Sequence, residues 1–298
     1  MARAFVRSIS FPLSPSGSPK ARAPSSSYHG RSVSLPCRSH PILAHLHTHI
    51  RAVRAWSQQG LAALVSSVAA GLAHVDALHA ALGDLLDLPE AQDALSGAGG
   101  VDRLLDSFLR LADAHGCFQE TVVALKQDVA GALTAVRRRD GARLASAVRT
   151  QRRAGKELAG LAAAARECAV RPSRLSILGG GQGSAAEVEV TGLLMESAAA
   201  TASASAALFA AVAAMSGSVE AESCSCKGTA ALVCLVKKSK KSSAPGCGEE
   251  GIAVAAVAER LEELEECIEE LEAGSEKVFR SLVQTRVALL NIHTLHIF

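Results

Sequence analysis

Apolar residues recur in steps of three and four along most of the chain, which is the spacing of amphipathic helices. Ser39–Pro41 has the form of a helix start, a capping residue followed by a proline in the first turn, and predicts a helix over Pro41–Ser57. The same spacing over 61–86 predicts a second helix. Pro89 ends it, because proline disfavours the helical region for the residue before it.

The strongest periodic segment begins at Val101 and predicts one helix to Arg139, about 58 Å long at 1.5 Å per residue. A further helix follows Gly141, with its many arginines facing outward. Residues 185–215 are alanine-rich and helical by propensity. The pattern therefore predicts a series of long helices.

The last part of the chain has a heptad pattern in which Ser275 and Thr285 are the two polar members of the apolar seam. It predicts a coiled-coil-like helix, whose partner is either the helix over 101–136 of the same chain or a second chain. We favour the same chain, since a bundle then forms without another molecule. The apolar seam positions are Val254, Val257, Leu261, Leu264, Ile268, Leu271, Val278, Leu282, Leu289 and Ile292.

These patterns predict an all-α fold: a bundle of long amphipathic helices with a coiled-coil-like C-terminal helix and a disordered N-terminus. Residues 1–39 are basic and rich in Ser, Pro and Arg, and we expect a disordered tail there. Residues 40–298 form the expected helical domain, with a flexible insertion near 216–250.

Composition agrees with this fold. Aromatic residues make up only 3% of the 298 residues, and alanine and leucine dominate the apolar fraction. The net charge of +2 points to no polyanionic partner, but the charges are segregated, with Arg dense over 137–174 and Glu dense over 249–276. The eight cysteines are scattered, and the N-terminus lacks a secretory apolar core, so we expect reduced thiols in an intracellular protein.

Residues 197–215 form the most hydrophobic uncharged stretch and are long enough to span a bilayer. Alanine and serine contribute little insertion energy, so a buried or interfacial helix is the favoured interpretation. Membrane association is kept as the alternative, because the lysine cluster at 237–241 could meet anionic lipid.

No pattern of catalytic, cofactor-binding or metal-binding residues stands out, so we expect a protein that is not an enzyme and needs no cofactor. His45 and His49 share a helix face, but two histidines alone do not fill a tetrahedral metal site. Cys224 and Cys226, with Cys234 and Cys247 downstream, do not match zinc-module spacing. The arginine-rich helix lacks aromatic neighbours for base stacking, so no nucleic-acid partner is expected.

Two copies of one pattern in the tail predict phospho-docking. The copies are Arg7, Ser10 and Pro12, and Arg31, Ser34 and Pro36, each with Arg three residues before a serine and Pro two after it. This resembles the phosphoserine motif recognised by 14-3-3 proteins. A phosphate adds about two negative charges, which an arginine cluster in the partner can bind.

Several blocks together resemble a plant-specific family of unknown biochemical activity, often labelled BYPASS-like and associated with root and shoot development. They include "RSVSLPCRSHP" at 31–41, "LGDLLDLPEAQDAL" at 82–95, "VDRLLDSFLRLADAHG" at 101–116, "VRRRDG" at 136–141 and the C-terminal "RLEELEECIEELEAGSEKVFRSLVQTRVALLNIHT". The resemblance implies an α-helical developmental protein and supplies no catalytic residues.

We therefore expect a non-enzymatic interaction or regulatory protein. Its partners would be proteins, with 14-3-3 and a second copy joined through the C-terminal heptads as candidates. The expected location is the cytoplasm. Plastid targeting is the alternative, because an acid-free start rich in Ser and Arg resembles a transit peptide.

Overall fold

The computed structural model describes residues 41–96, 100–168, 185–224 and 248–295. The described residues form eight α-helices and contain no strand, so the predicted all-α fold is confirmed. Their bounds are α1 Pro41–Ser57, α2 Leu61–Val65, α3 Val68–Leu86, α4 Pro89–Ser96, α5 Val101–Arg137, α6 Gly141–Cys168, α7 Ala185–Cys224 and α8 Gly248–Leu295. The basic tail and residues 225–247 lie outside the described residues.

Helix α1 has the predicted bounds and buries one stripe against α3 and α7. The prediction of one continuous helix over 61–86 is wrong, because the helix breaks at Ser66 and Ser67. The cause is Trp56 at the end of α1, whose indole Nε1 donates to both the carbonyl oxygen and the hydroxyl of Ser67, at 3.1 and 3.0 Å. Gly71 then lets α3 pass the indole ring, since a Cβ there would lie 2.1 Å from Trp56 Cζ2.

The turn between α5 and α6 explains why α5 ends two residues before the predicted Arg139. Arg139 has a φ of 51°, a left-handed conformation that cannot continue a helix. Asp140 then caps α6, because its Oδ1 accepts the backbone N–H groups of Ala142 and Arg143, each at 3.1 Å. The sequence "RRRDG" therefore encodes a helix stop followed at once by a helix start.

Helix α7 lies at the centre of the bundle and contacts each of the other seven described helices. Most of its alanines and serines are buried, and only the face that contains Ala199, Ser203, Ala207 and Ala210 is half-buried. By length and composition, Ala186–Ser216 could also cross a membrane, with 67% of its most apolar window buried inside the bundle. Small side chains let the surrounding helices approach the α7 backbone closely.

Helix α8 packs on α5 and α3 of the same chain, as the favoured within-chain pairing predicted. The heptad residues that fall on described side chains are buried: Leu261, Leu264, Ile268, Leu271, Val278, Leu282, Leu289 and Ile292. Ser275 and Thr285, the two polar seam members, are buried with them. Ion pairs from α5 flank this contact, including Lys126 to Glu272 at 2.8 Å and Arg137 to Glu262 at 3.1 Å.

Candidate functional site

The six residues predicted for phospho-docking, Arg7, Ser10, Pro12, Arg31, Ser34 and Pro36, all lie outside the described residues. Their role therefore stays a prediction. Cys226, Cys234 and Cys247 lie outside the described residues as well.

The α1 histidines form a pair. The Nε2 atoms of His45 and His49 lie 3.0 Å apart, and the pKa of His49 is lowered, mainly by burial and then by His45. The described part of the chain holds no group of three or more His, Cys, Asp or Glu residues placed to hold a metal ion. Burial raises the thiol pKa of Cys168 and Cys267, which keeps both protonated and weakly nucleophilic at neutral pH.

A buried polar cluster joins α3, α7 and α8, and its organising residue is His79. His79 Nδ1 lies 2.9 Å from the hydroxyl of Thr285, and Nε2 lies 3.2 Å from the hydroxyl of Thr201. Thr285 also donates its hydroxyl to the carbonyl oxygen of Ser281 at 2.9 Å, so its oxygen is left to accept from His79. This assigns the His79 proton to Nδ1 and makes Nε2 the acceptor of the Thr201 hydroxyl.

A second histidine joins α5 to the same part of α7. His115 Nε2 lies 2.8 Å from the hydroxyl of Ser205, which itself donates to the carbonyl oxygen of Thr201 at 2.9 Å. His115 Nδ1 is buried without a hydrogen-bond partner. Phe118 and Phe209 stack on each other beside the ring, with centroids 4.7 Å apart. An unpaired ring nitrogen buried among aromatic rings lowers the free energy of unfolding.

Both histidines are uncharged at neutral pH. Burial lowers the pKa of His79 to about 4, with Asp76 acting in the opposite direction. Burial lowers the pKa of His115 to about 3, with His79 adding to the effect. The two side chains are only 3% and 1% exposed, so the cluster is suited to fixing the register of four helices.

The surface of the bundle carries two charged ridges, on two helices that both pack against α5. We call Arg149, Arg153 and Lys156 of α6 the basic ridge, and all three are exposed. We call Glu259, Glu263, Glu266 and Glu270 of α8 the acidic ridge, and all four are exposed as well. Each ridge lies opposite the buried stripe of its own helix, so both face solvent.

A groove of about 620 Å³ lies where α1 and α2 approach α6 and α7. Its floor is formed by small α7 side chains such as Ser203 and Ala206, and its rim carries Arg54 and Arg166. The described lining residues include no carboxylate, but Arg54 is paired with Glu196 at 3.4 Å, so its charge is partly neutralised.

The sequence pattern contains one signal of the core cluster. The apolar series of α5 steps from Leu111 to Phe118, and His115 occupies the position between them that a continuous stripe requires. His79 likewise follows Val75 by four residues on the buried face of α3. A histidine at a core position predicts a buried partner, but the sequence does not show that the partners are Thr201, Thr285 and Ser205.

The model of a protein family described as "Protein BPS1" matches residues 71–292, about three quarters of the chain. The chain belongs to the BPS1 family. This is the BYPASS-like family that the sequence blocks resemble, so the protein is a plant developmental protein whose biochemical role is not established. The matched range contains the histidine cluster and both charged ridges. No curated protein and no solved structure gives a significant match to the chain.

Proposed function

We propose that this BPS1-family protein is a non-enzymatic regulator of root and shoot development that works by binding other proteins. The observation that carries the proposal is the placement of its polar groups. The core histidines are neutral and enclosed between helices, whereas the charged side chains form ridges on exposed helix faces. Exposed charges of one sign on a rigid helix give specificity and fast association with a partner of opposite charge.

The tail adds a regulated contact with 14-3-3 proteins. Phosphorylation of Ser10 and Ser34 creates two anionic sites, each with Arg three residues earlier and Pro two residues later. The serines are 24 residues apart, and an extended chain of that length reaches about 80 Å. Both can therefore occupy one dimeric partner, and binding two linked sites raises the overall affinity well above that of either one.

A phosphorylation-dependent pull-down tests this contact. Full-length protein treated with a basophilic kinase should retain 14-3-3, and the double variant Ser10→Ala, Ser34→Ala should lose it. Ser16→Ala with Ser26→Ala is the matched control, because neither serine has Arg at minus three or Pro at plus two. Equal binding by the double variant and the control would refute docking through these sites.

Membrane association is the second candidate, supported by the length and apolar composition of Ala186–Ser216. The competing observation is that α7 is packed by the other helices, so insertion would require the bundle to open. Fractionation of plant tissue at physiological salt separates the two. Recovery in the soluble fraction supports the binding protein, and recovery in membranes that resists carbonate extraction supports insertion.

We place the protein in the cytoplasm, where kinases and 14-3-3 proteins would meet the tail. The acid-free tail supports the alternative of plastid import. A fluorescent protein fused to the C-terminus separates these locations, since import would give plastid fluorescence and a shortened product.

A further inference from the structure

The basic ridge of α6 belongs to a strongly cationic part of the surface. From Arg137 to Lys156 the chain holds eight Arg or Lys residues and one acidic residue, Asp140. Steps of four and three place Arg149, Arg153 and Lys156 within about 60° of one another around the helix. They lie opposite the buried stripe that contains Val148 and Leu158, and α6 packs mainly on α5 and α7. The ridge is therefore open to a partner.

The acidic ridge of α8 has the same construction with the opposite sign. Glu259, Glu263, Glu266 and Glu270 follow in steps of four, three and four, which also keeps them within about 60° of one another. The basic ridge is about 10 Å long and the acidic ridge about 16 Å, at 1.5 Å per residue. Three cations can therefore meet three of the four carboxylates in register.

Within one chain the two ridges are kept apart. Helix α5 packs against both α6 and α8, and the α8 glutamates that face α5 are paired with Lys126 and Arg137 of α5. The recorded ion pairs within the ridges are local and exposed: Arg153 to Glu157 at 3.2 Å, and Arg260 to Glu263 at 2.8 Å. Exposed pairs of this kind contribute little to stability, so a partner can replace them readily.

We propose that the basic ridge of one copy docks on the acidic ridge of a second copy of this chain. Every copy carries both surfaces in equal number, and their spacing matches. A two-fold arrangement would make the contact twice, and a head-to-tail arrangement would make it once per junction. This interface uses exposed faces of α6 and α8 and leaves the buried heptad seam of α8 intact.

The composition of the basic ridge favours a protein partner over other anionic surfaces. The apolar stripe of α6 is buried in the bundle, so it cannot insert between lipid tails as an interfacial helix does. Helix α6 contains no aromatic residue on which a base could stack. A regularly spaced row of carboxylates can pair with all three cations of the ridge at once.

Charge reversal of full-length protein tests the proposal. The first variant carries Arg149→Glu, Arg153→Glu and Lys156→Glu. The second carries Glu259→Lys, Glu263→Lys, Glu266→Lys and Glu270→Lys. Sedimentation velocity at 50 mM NaCl should show self-association of the unaltered protein, weakened at least about tenfold at 500 mM because salt screens exposed charges.

Each variant alone should be at least about tenfold weaker in self-association, whereas an equimolar mixture of the two should recover it. The recovery distinguishes the proposal from loss of folding, which mixing cannot repair. The matched control reverses three exposed cations elsewhere, Arg103→Glu, Arg110→Glu and Lys277→Glu, and should associate like the unaltered protein.

Three results would overturn the proposal. One is an unaltered protein that stays monomeric at 50 mM NaCl and high concentration, and another is a mixture that stays monomeric. The third is a monomeric protein that binds vesicles containing phosphatidylserine and loses that binding in the first variant, which would assign the basic ridge to an anionic membrane.

Discussion

Replacing Thr285 with valine tests how much the histidine cluster contributes to the stability of the fold. Valine keeps the shape of threonine but removes the hydroxyl that His79 Nδ1 contacts at 2.9 Å. His79 is 3% exposed, so the ring cannot turn to water. Whichever nitrogen carries the proton, Thr201 can pair only one of them, and the other is left without a partner.

The expected loss follows from this geometry. A buried polar group that loses its partner costs about 1–3 kcal/mol in free energy of unfolding. Thr294→Val is the matched control on the same helix, because Thr294 is exposed and its hydroxyl bonds only to carbonyls of its own helix. A surface change of this kind should stay within about 0.5 kcal/mol.

Urea unfolding followed by circular dichroism at 222 nm measures both variants. A double-mutant cycle with His79→Leu then isolates the contact, and we expect a coupling energy of about 0.5–3 kcal/mol between His79 and Thr285. A loss for Thr285→Val no larger than that for Thr294→Val would show that the hydroxyl is not needed. An equal loss with and without the histidine would show that His79 and Thr285 are not coupled.

Three further predictions concern stability. The two core histidines have folded-state pKa values of about 4 and about 3, below their ordinary 6.5, so the unfolded chain binds protons first as the pH falls below 6.5. The free energy of unfolding should therefore fall by about 2 kcal/mol per histidine between pH 7 and pH 5, and a flat urea midpoint across that range would contradict this. Gly71→Ala should destabilise the fold by about 1–3 kcal/mol, because the added Cβ would overlap Trp56. Gly83→Ala in the same helix is the control: its Cβ meets nothing within 4 Å, so it should stabilise the fold by about 0.5–1 kcal/mol. Equal effects of the two changes in thermal unfolding would argue against the Trp56 contact. Asp140→Ala removes the cap of α6 and should cost about 1 kcal/mol in the same assay, and an unchanged midpoint would show that the cap is dispensable.

Helix identity was readable from the sequence because it depends on local spacing. Pro41, Gly141 and the heptads of α8 marked elements that the structure contains, and the seam pairs within the chain as favoured. The break at Ser66 and Ser67 was not readable. It depends on Trp56, eleven residues before Ser67, whose indole bonds to that serine only after α1 and α3 have packed.

For the candidate sites too, local features were readable from the sequence and contacts between distant residues were not. The sequence displayed the arginines of α6 and the glutamates of α8 as two charged segments, but their separation by α5 exists only in the folded bundle. His115 stood visibly in an apolar series, yet its partner Ser205 is 90 residues away. Local chemistry can be predicted from the sequence, whereas the pairing of distant polar groups follows from packing.

Proximity labelling in root tissue tests whether this protein is a regulator that binds other proteins. A labelling enzyme fused to the C-terminus of the full-length chain should mark 14-3-3 proteins, and Ser10→Ala with Ser34→Ala should remove that signal while Ser16→Ala with Ser26→Ala keeps it. The same set of labelled proteins for all three forms, or the absence of 14-3-3 proteins from all of them, would contradict a binding role for the tail.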